Sequence, residues 1–212
     1  MRFSEFKLKE DIGSFMSRLL GTPSFGSIGD IANKAKDAVT SKATGTDTKT
    51  IQDPNFDSKL AKVATALGVA EADLRKIIKF ETAGTFSPTS HDPCNVSIGL
   101  IGFTERTAKA LGTSKAELGK MTAVQQLDYV YKFYKMNGLK PGSDVGIMYM
   151  LTFMPAYAYA PDGKVLGKKG GGPLDNTGLS MHKVWLQNPG FGKSRGKNYF
   201  TVGDVKSLIR SR

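Results

Sequence analysis

The feature that most constrains this chain is a series of short amphipathic segments, most of which are closed by a glycine. Apolar residues recur at helical spacing in the segments that end at Gly68 and Gly84. Similar segments end at Gly112 and Gly138, and a strongly apolar stretch is stopped by Pro155. Because glycine commonly ends a helix and proline cannot continue one, the pattern predicts a mainly α fold with a buried helix before Pro155.

The last third of the chain has a different composition. Residues 160–200 are rich in Gly, Lys and Asn, which predicts loops, and no stretch of the chain indicates a sheet. Thr201 and Asp204 have the spacing of a capping box in its acidic variant, so the terminal "TVGDVKSLIRSR" is predicted to form a closing helix.

The first 55 residues predict an arm and linker rather than part of the core. Residues 1–20 are amphipathic and predict a short helix, which "GTPSFGSIGD" interrupts with glycine and proline. Residues 34–53 are rich in Thr, Lys, Ala and Asp, a linker composition, with a weak helical pattern at 29–41. We therefore expect an N-terminal arm at 1–55 and a compact domain at 56–212.

The chain is basic, with 30 Lys and Arg against 19 Asp and Glu in 212 residues, a net charge of +11. The excess is expected to be spread along the chain, and it favours polyanions such as nucleic acid, anionic membranes or bacterial envelope polymers. Nucleic acid is the least favoured of these partners, because it rests on charge alone and no nucleic-acid-binding motif occurs. No zinc-ligand spacing is present, so neither a metal nor another cofactor is predicted.

The N-terminal sequence, the lengths of the apolar runs and the single cysteine argue against a secretory signal peptide, a membrane span and a disulfide framework. "MRFSEFKLKEDIG" has no apolar core, so it does not predict a secretory signal peptide. No run of 18 apolar residues occurs, which predicts no membrane span. Cys94 is the only cysteine, so an intrachain disulfide is excluded, and its position in "HDPCN" predicts an incidental loop thiol.

Glu81 is the most informative polar residue. Leu74, Ile77, Ile78 and Glu81 fall at i, i+3, i+4 and i+7, so the carboxyl continues the core-facing stripe of its helix. Desolvation and the C-terminal end of the helix dipole both favour its protonated form, which is what a general acid requires. The alternative is a glutamate at a frayed helix end, satisfied by a nearby lysine.

The sequence that follows Glu81 resembles the catalytic domain of soluble lytic transglycosylases, a branch of the lysozyme-like superfamily. That family places a catalytic glutamate at a helix end, then a small polar turn with an N-P or S-P step, an "S-x-G-L-M-Q-F" segment and a helix with "T-A-x-x-L-G". Weaker similarity to bacteriophage members extends the resemblance over about 57–190, and it implies a lysozyme-like fold with an N-terminal extension. The matching residues are Glu81, Ser87-Pro88, Ser97-Ile98-Gly99-Leu100-Ile101-Gly102-Phe103, Thr107-Ala108 and Leu111-Gly112.

The resemblance implies cleavage of the β-1,4 bond between N-acetylmuramic acid and N-acetylglucosamine in peptidoglycan. Glu81 is then the single acid and base, and the sugar's own 6-hydroxyl attacks to leave a 1,6-anhydro end. A lysozyme-type hydrolase of the same bond stays open, because Asp92 could position a water as a second carboxylate. Asp92 precedes a proline, so a turn former is the alternative for that residue.

The resemblance also implies a sugar-binding cleft beside Glu81. Tyr157 and Tyr159 would share one face if their segment is extended, and Gly99 would let the backbone approach the saccharide closely. Core packing is the alternative for the aromatic residues, most of all for Tyr149 in mid-helix, and a cap or turn role is the alternative for Ser97. The candidate substrate-binding residues are Ser97, Gly99, Phe103, Tyr149, Tyr157 and Tyr159.

Two classes of function remain at this point. The first is a peptidoglycan-cleaving enzyme of a bacteriophage virion, associated with the tail, whose N-terminal arm docks on other tail or baseplate proteins. A released endolysin is the variant of this class. The second is a structural virion protein that keeps the fold without turnover. Its support is Gly102, which stands where the family usually has a glutamine facing the cleft.

Overall fold

The computed structural model describes residues 53–91, 97–193 and 195–211. The helices predicted at 1–20 and 29–41 lie outside these residues, as do Asp92 and Cys94.

The described chain is mainly α, which confirms the predicted class. Each amphipathic segment predicted within the described residues forms a helix, and the stretch before Pro155 is a buried helix followed by one 3₁₀ turn, Pro155–Tyr157. The helices are α1 (Phe56–Leu67), α2 (Glu71–Glu81), α3 (Glu105–Ala110), α4 (Lys115–Lys120), α5 (Ala123–Met136), α6 (Val145–Phe153), α7 (Met181–Gln187), α8 (Gly190–Lys193) and α9 (Val202–Arg210).

The expectation of no sheet is wrong, and so is the expectation that residues 160–200 are loops. Three small antiparallel pairs occur among the described residues, and two of them, with the short helices α7 and α8, lie in the last third of the chain. The pairs are β1 (Ser97–Ile98) with β2 (Phe103–Thr104), β3 (Val165–Lys168) with β6 (Tyr199–Thr201), and β4 (Pro173–Leu174) with β5 (Leu179–Ser180).

Side-chain caps fix where most of the helices of residues 53–160, the helical lobe, begin. A hydroxyl or carboxylate oxygen accepts the backbone N–H three residues on, which satisfies one of the free donors of the first turn. The residues that cap in this way are Thr104, Ser114, Thr122 and Asp144. Helices α1, α2 and α5 bury one apolar face each, whereas α6 is buried on almost all sides.

Residues 161–211, the C-terminal lobe, pack onto the helical lobe through α9. The predicted capping box is confirmed, because Asp204 N donates to Thr201 Oγ1 and Thr201 N donates to Asp204 Oδ2. Helix α9 lies against α6, and Arg210 bonds Asp144 at its N-terminus with a 2.6 Å contact. The closing helix therefore holds the C-terminal lobe against α6, the most deeply buried of the long helices that the structure describes.

None of the helices in the described part of the chain combines the length and the apolarity needed to cross a bilayer.

Candidate functional site

Glu81 is the last residue of α2 and is enclosed, with 8% of its surface exposed. Leu74, Ile77 and Ile78, the residues that precede it on the same helical face, are completely buried. The predicted stripe therefore exists, and the carboxyl lies at its end rather than on the solvent face of the helix.

The backbone turns sharply directly after Glu81. Thr82 Oγ1 donates to Ile78 O at 2.7 Å and accepts from Phe86 N at 3.0 Å, so one hydroxyl ties the end of α2 to the loop. Ala83 and Phe86 adopt φ values of 50° and 52°. Left-handed backbone at a residue with a Cβ costs about 1–2 kcal/mol, and such strain is concentrated at functional sites.

Tyr134 of α5 lies within electrostatic range of Glu81. Burial raises the pKa of its hydroxyl above the ordinary value, the hydrogen bond with Thr152 opposes this, and the negative charge of Glu81 adds to it. Thr152 Oγ1 lies 3.3 Å from Tyr134 Oη. Glu81, Tyr134 and Thr152 thus bring polar atoms from α2, α5 and α6 together inside an apolar core.

Tyr134 and Thr152 are not among the site residues predicted from the sequence. Tyr134 falls on the apolar stripe of α5 and is indistinguishable by spacing from a core residue. The sequence does contain a signal for Thr152, because its hydroxyl and that of Tyr149 are the two side-chain hydroxyls in the otherwise apolar "VGIMYMLTF". A polar side chain within a fully buried helix indicates a partner in the core.

Gln126 of α5 is a second feature that the sequence did not reveal. Its completely buried side chain accepts from Leu100 N at 3.0 Å through Oε1. Its Nε2 donates to Pro88 O at 2.7 Å and to Leu118 O at 2.8 Å. One amide therefore fixes the loop after Glu81, the turn after β1 and the end of α4 to a single point on α5.

Gly99 lies directly against the same amide. Its φ is +88°, and a Cβ at this position would overlap the Gln126 carboxamide. Glycine is therefore needed here to make room for the Gln126 side chain, which differs from the predicted reason, a close approach of the backbone to a saccharide.

Ser97 is completely buried at the start of β1, where it pairs with Thr104 of β2.

Phe103 and Tyr149 do not line a cleft, so their assignment as sugar-stacking residues is wrong. Phe103 is 1% exposed and meets Phe133 edge to face at 6.4 Å. Tyr149 is completely buried, with its ring edge-on to Phe80 at 5.3 Å. Rings enclosed on both faces by other aromatic and apolar groups have no face left for a sugar.

Tyr157 and Tyr159 do not share a face, because Tyr157 ends a 3₁₀ turn, Tyr159 lies in the turn that follows it, and the segment is not extended. Tyr157 is 7% exposed and donates to Asp175 Oδ2 at 2.9 Å. Tyr159 is 41% exposed, but its hydroxyl accepts from Lys140 N and donates to Gly138 O, so it closes the α5–α6 connection. The two rings lie in different neighbourhoods of the molecule.

Within residues 53–91, 97–193 and 195–211, no three His, Cys, Asp or Glu side chains come together as a metal site. Comparison with protein-family models, with curated proteins and with solved structures found no match to this chain.

Proposed function

We propose that this protein is a lytic transglycosylase that cleaves the N-acetylmuramic acid–N-acetylglucosamine bond of peptidoglycan, with Glu81 as its acid and base. The proposal takes its reaction and its lysozyme-like fold from the sequence resemblance around Glu81. Association with a bacteriophage tail belongs to the same proposal, with the arm at 1–55 as the docking segment.

One structural observation carries the assignment of Glu81. Its carboxyl ends a buried apolar stripe, is 8% exposed, and is followed at once by a turn with two strained residues. Burial of a carboxyl penalises its charged form and so favours the neutral form that a general acid needs. A surface glutamate at a frayed helix end would show neither the burial nor the strained turn.

The proposed chemistry needs one carboxyl. Protonated Glu81 gives its proton to the glycosidic oxygen as the bond from that oxygen to the anomeric carbon breaks, and the substrate's acetamido group stabilises the positive carbon. The carboxylate then takes the proton of the sugar's 6-hydroxyl, whose oxygen bonds to the anomeric carbon. The nucleophile belongs to the substrate, so it gains the advantage of proximity and no water is consumed.

A hydrolase of the same bond differs in its nucleophile. Asp92 is the only acid in the sequence between Glu81 and Glu105, so it is the residue that would position a water. The products separate the two reactions, because hydrolysis leaves reducing ends and transglycosylation leaves anhydro ends that are lighter by one water.

Clearing of purified peptidoglycan in a gel tests the role of Glu81. Wild type and Glu117→Gln should clear the substrate, because Glu117 is an exposed residue that pairs with Lys120. Glu81→Gln should lose at least about 100-fold of the activity, the usual scale for removing a general acid. Equal clearing by Glu81→Gln and Glu117→Gln would remove Glu81 from the mechanism, and no clearing by wild type would favour a structural virion protein.

A further inference from the structure

The positive charge of the chain is concentrated in the C-terminal lobe and the one residue that follows it, and is not spread evenly as expected. Residues 161–212 contain ten Lys and Arg and three Asp, a net charge of +7 out of the total of +11. Residues 53–160 contain twelve basic and ten acidic residues, a net charge of +2. About two thirds of the excess therefore lies in the last quarter of the sequence.

All three acids of the C-terminal lobe are already committed to ion pairs. Asp162 pairs with Lys206, Asp175 pairs with Lys164, and Asp204 pairs with Arg195 and Lys197. The remaining lysines of the lobe, Lys168, Lys169, Lys183 and Lys193, are exposed and make no ion pair with a described residue. The lobe has no acid left to neutralise them.

Three of these lysines are brought together by the turn that follows β3. Gly170 N donates to His182 Nδ1 at 2.9 Å, and His182 N donates to Gly171 O at 3.3 Å. The turn that follows Lys168 and Lys169 therefore lies against the start of α7, the helix that carries Lys183. Because Nδ1 accepts the bond from Gly170 N, Nε2 carries the N–H of the neutral ring and is a further donor. We call Lys168, Lys169, His182 and Lys183 the basic corner.

We propose that the basic corner binds a linear phosphodiester polymer of the cell wall and holds the protein on the wall independently of the Glu81 site. Uncompensated lysines with N–H donors beside them match a chain of phosphates, and a basic lobe also raises the rate of encounter with such a chain. The choice of a wall polymer rests on the proposed function, whereas phosphate binding by the corner does not.

The surface of the lobe disfavours single-stranded nucleic acid as the occupant. Proteins that bind such strands stack bases on exposed aromatic rings. Trp185 and Phe200 of this lobe are buried, and Tyr199 is half-buried below the ammonium group of Lys197, which lies 5.3 Å from the ring centroid. A polymer without bases, such as poly(glycerol phosphate), needs only the charges.

Fluorescence anisotropy with labelled poly(glycerol phosphate) tests the proposal on the full chain. Lys168→Glu/Lys169→Glu/Lys183→Glu should weaken binding at least about tenfold and reduce the slope of log affinity against log salt by about 2. The matched control is Lys62→Glu/Lys132→Glu/Lys135→Glu, which changes the net charge equally at three exposed lysines of the helical lobe. The control should lose less than about threefold, because it lowers the overall charge but leaves every residue of the basic corner in place.

Three outcomes overturn the proposal. Equal losses in the two triple variants would show that only the total charge matters, and no binding by wild type would show that the corner has no affinity for phosphodiesters. Tighter binding to a DNA duplex with the same number of phosphates would show that the occupant is nucleic acid. Glu81→Gln should bind as wild type whether or not Glu81 is catalytic, so failure of the proposed cleavage leaves this test intact.

Discussion

The two lobes satisfy their buried polar groups by different chemistry. In the helical lobe, neutral hydrogen bonds do this, as where Gln126 holds three backbone groups at once. In the C-terminal lobe, ion pairs do much of this, as where buried Asp204 pairs with Arg195 and Lys197, beside neutral bonds such as that from Asn188 Nδ2 to Val184 O. Neutral bonds are insensitive to salt and pH, whereas ion pairs respond to both. The helical lobe is therefore expected to keep its geometry under conditions that weaken the C-terminal lobe.

The largest effect is expected at Gln126. Gln126→Ala leaves Leu100 N and Pro88 O without their partner, whereas Leu118 O keeps its bond from Met121 N. Unmet buried groups of this kind cost about 1–3 kcal/mol each. We expect a loss of about 3 kcal/mol or more in the free energy of unfolding, measured by denaturant titration at two salt concentrations. The loss should be the same at both concentrations.

A neighbouring glutamine provides the control for this variant. Gln125→Ala removes only the capping-box acceptor of Thr122 N and should cost about 1 kcal/mol. Equal losses at positions 125 and 126 would show that the buried amide does not organise the loop after Glu81.

The second largest effect is expected at Asp204, the buried carboxylate of the C-terminal lobe. Desolvation raises the pKa of Asp204, but the hydrogen bonds from Thr201 and the charges of Lys197 and Arg195 outweigh it, so the pKa lies below its ordinary value. The carboxylate therefore stabilises the fold above the unfolded pKa of about 4, and this contribution is lost as the pH falls through the folded pKa. Asp204→Asn should lose about 2 kcal/mol at neutral pH.

Measurements at two pH values and two salt concentrations test this assignment. The difference between wild type and Asp204→Asn should shrink at low pH and at high salt. Asp57→Asn, which breaks an exposed pair with Arg75, should change stability by less than about 0.5 kcal/mol. A loss at Asp204 that is independent of both pH and salt would break the comparison between the lobes.

The smallest effect concerns the contact that joins the lobes at Tyr157. Tyr157→Phe removes the hydroxyl that donates to Asp175 and should cost about 1 kcal/mol, because Asp175 keeps its pairing with Lys164. Thermal unfolding of Tyr157→Phe and of Tyr131→Phe, a half-buried tyrosine of α5, provides the comparison. Indistinguishable midpoints would show that this contact contributes nothing to lobe association.

The helical lobe was predictable because its information is local. The spacing of Leu74, Ile77 and Ile78 fixes the face of α2, and with it the burial of Glu81. The hydrogen bonds of Gln126 were not predictable, because the local sequence does not indicate which distant backbone groups a glutamine beside an apolar stripe will bond. The same holds for Phe103, whose inward direction depends on its pairing with Ile98.

The strands of the C-terminal lobe give almost no signal in the local sequence. β3 and β6 are four and three residues long and pair across 30 intervening residues. Gly167 lies in β3 because the ring of Phe200 occupies the space where a Cβ would be. A glycine of this kind lowers the strand signal in the sequence, although the pairing itself requires it.

The most direct test of the account is the mass of the soluble fragments that wild type and Glu81→Gln release from purified peptidoglycan in matched digests. We expect wild type to release fragments whose new ends are one water lighter than reducing ends, and Glu81→Gln to release almost none. Reducing ends from wild type would contradict the single-carboxyl mechanism, and the same fragments from both proteins would contradict the role of Glu81.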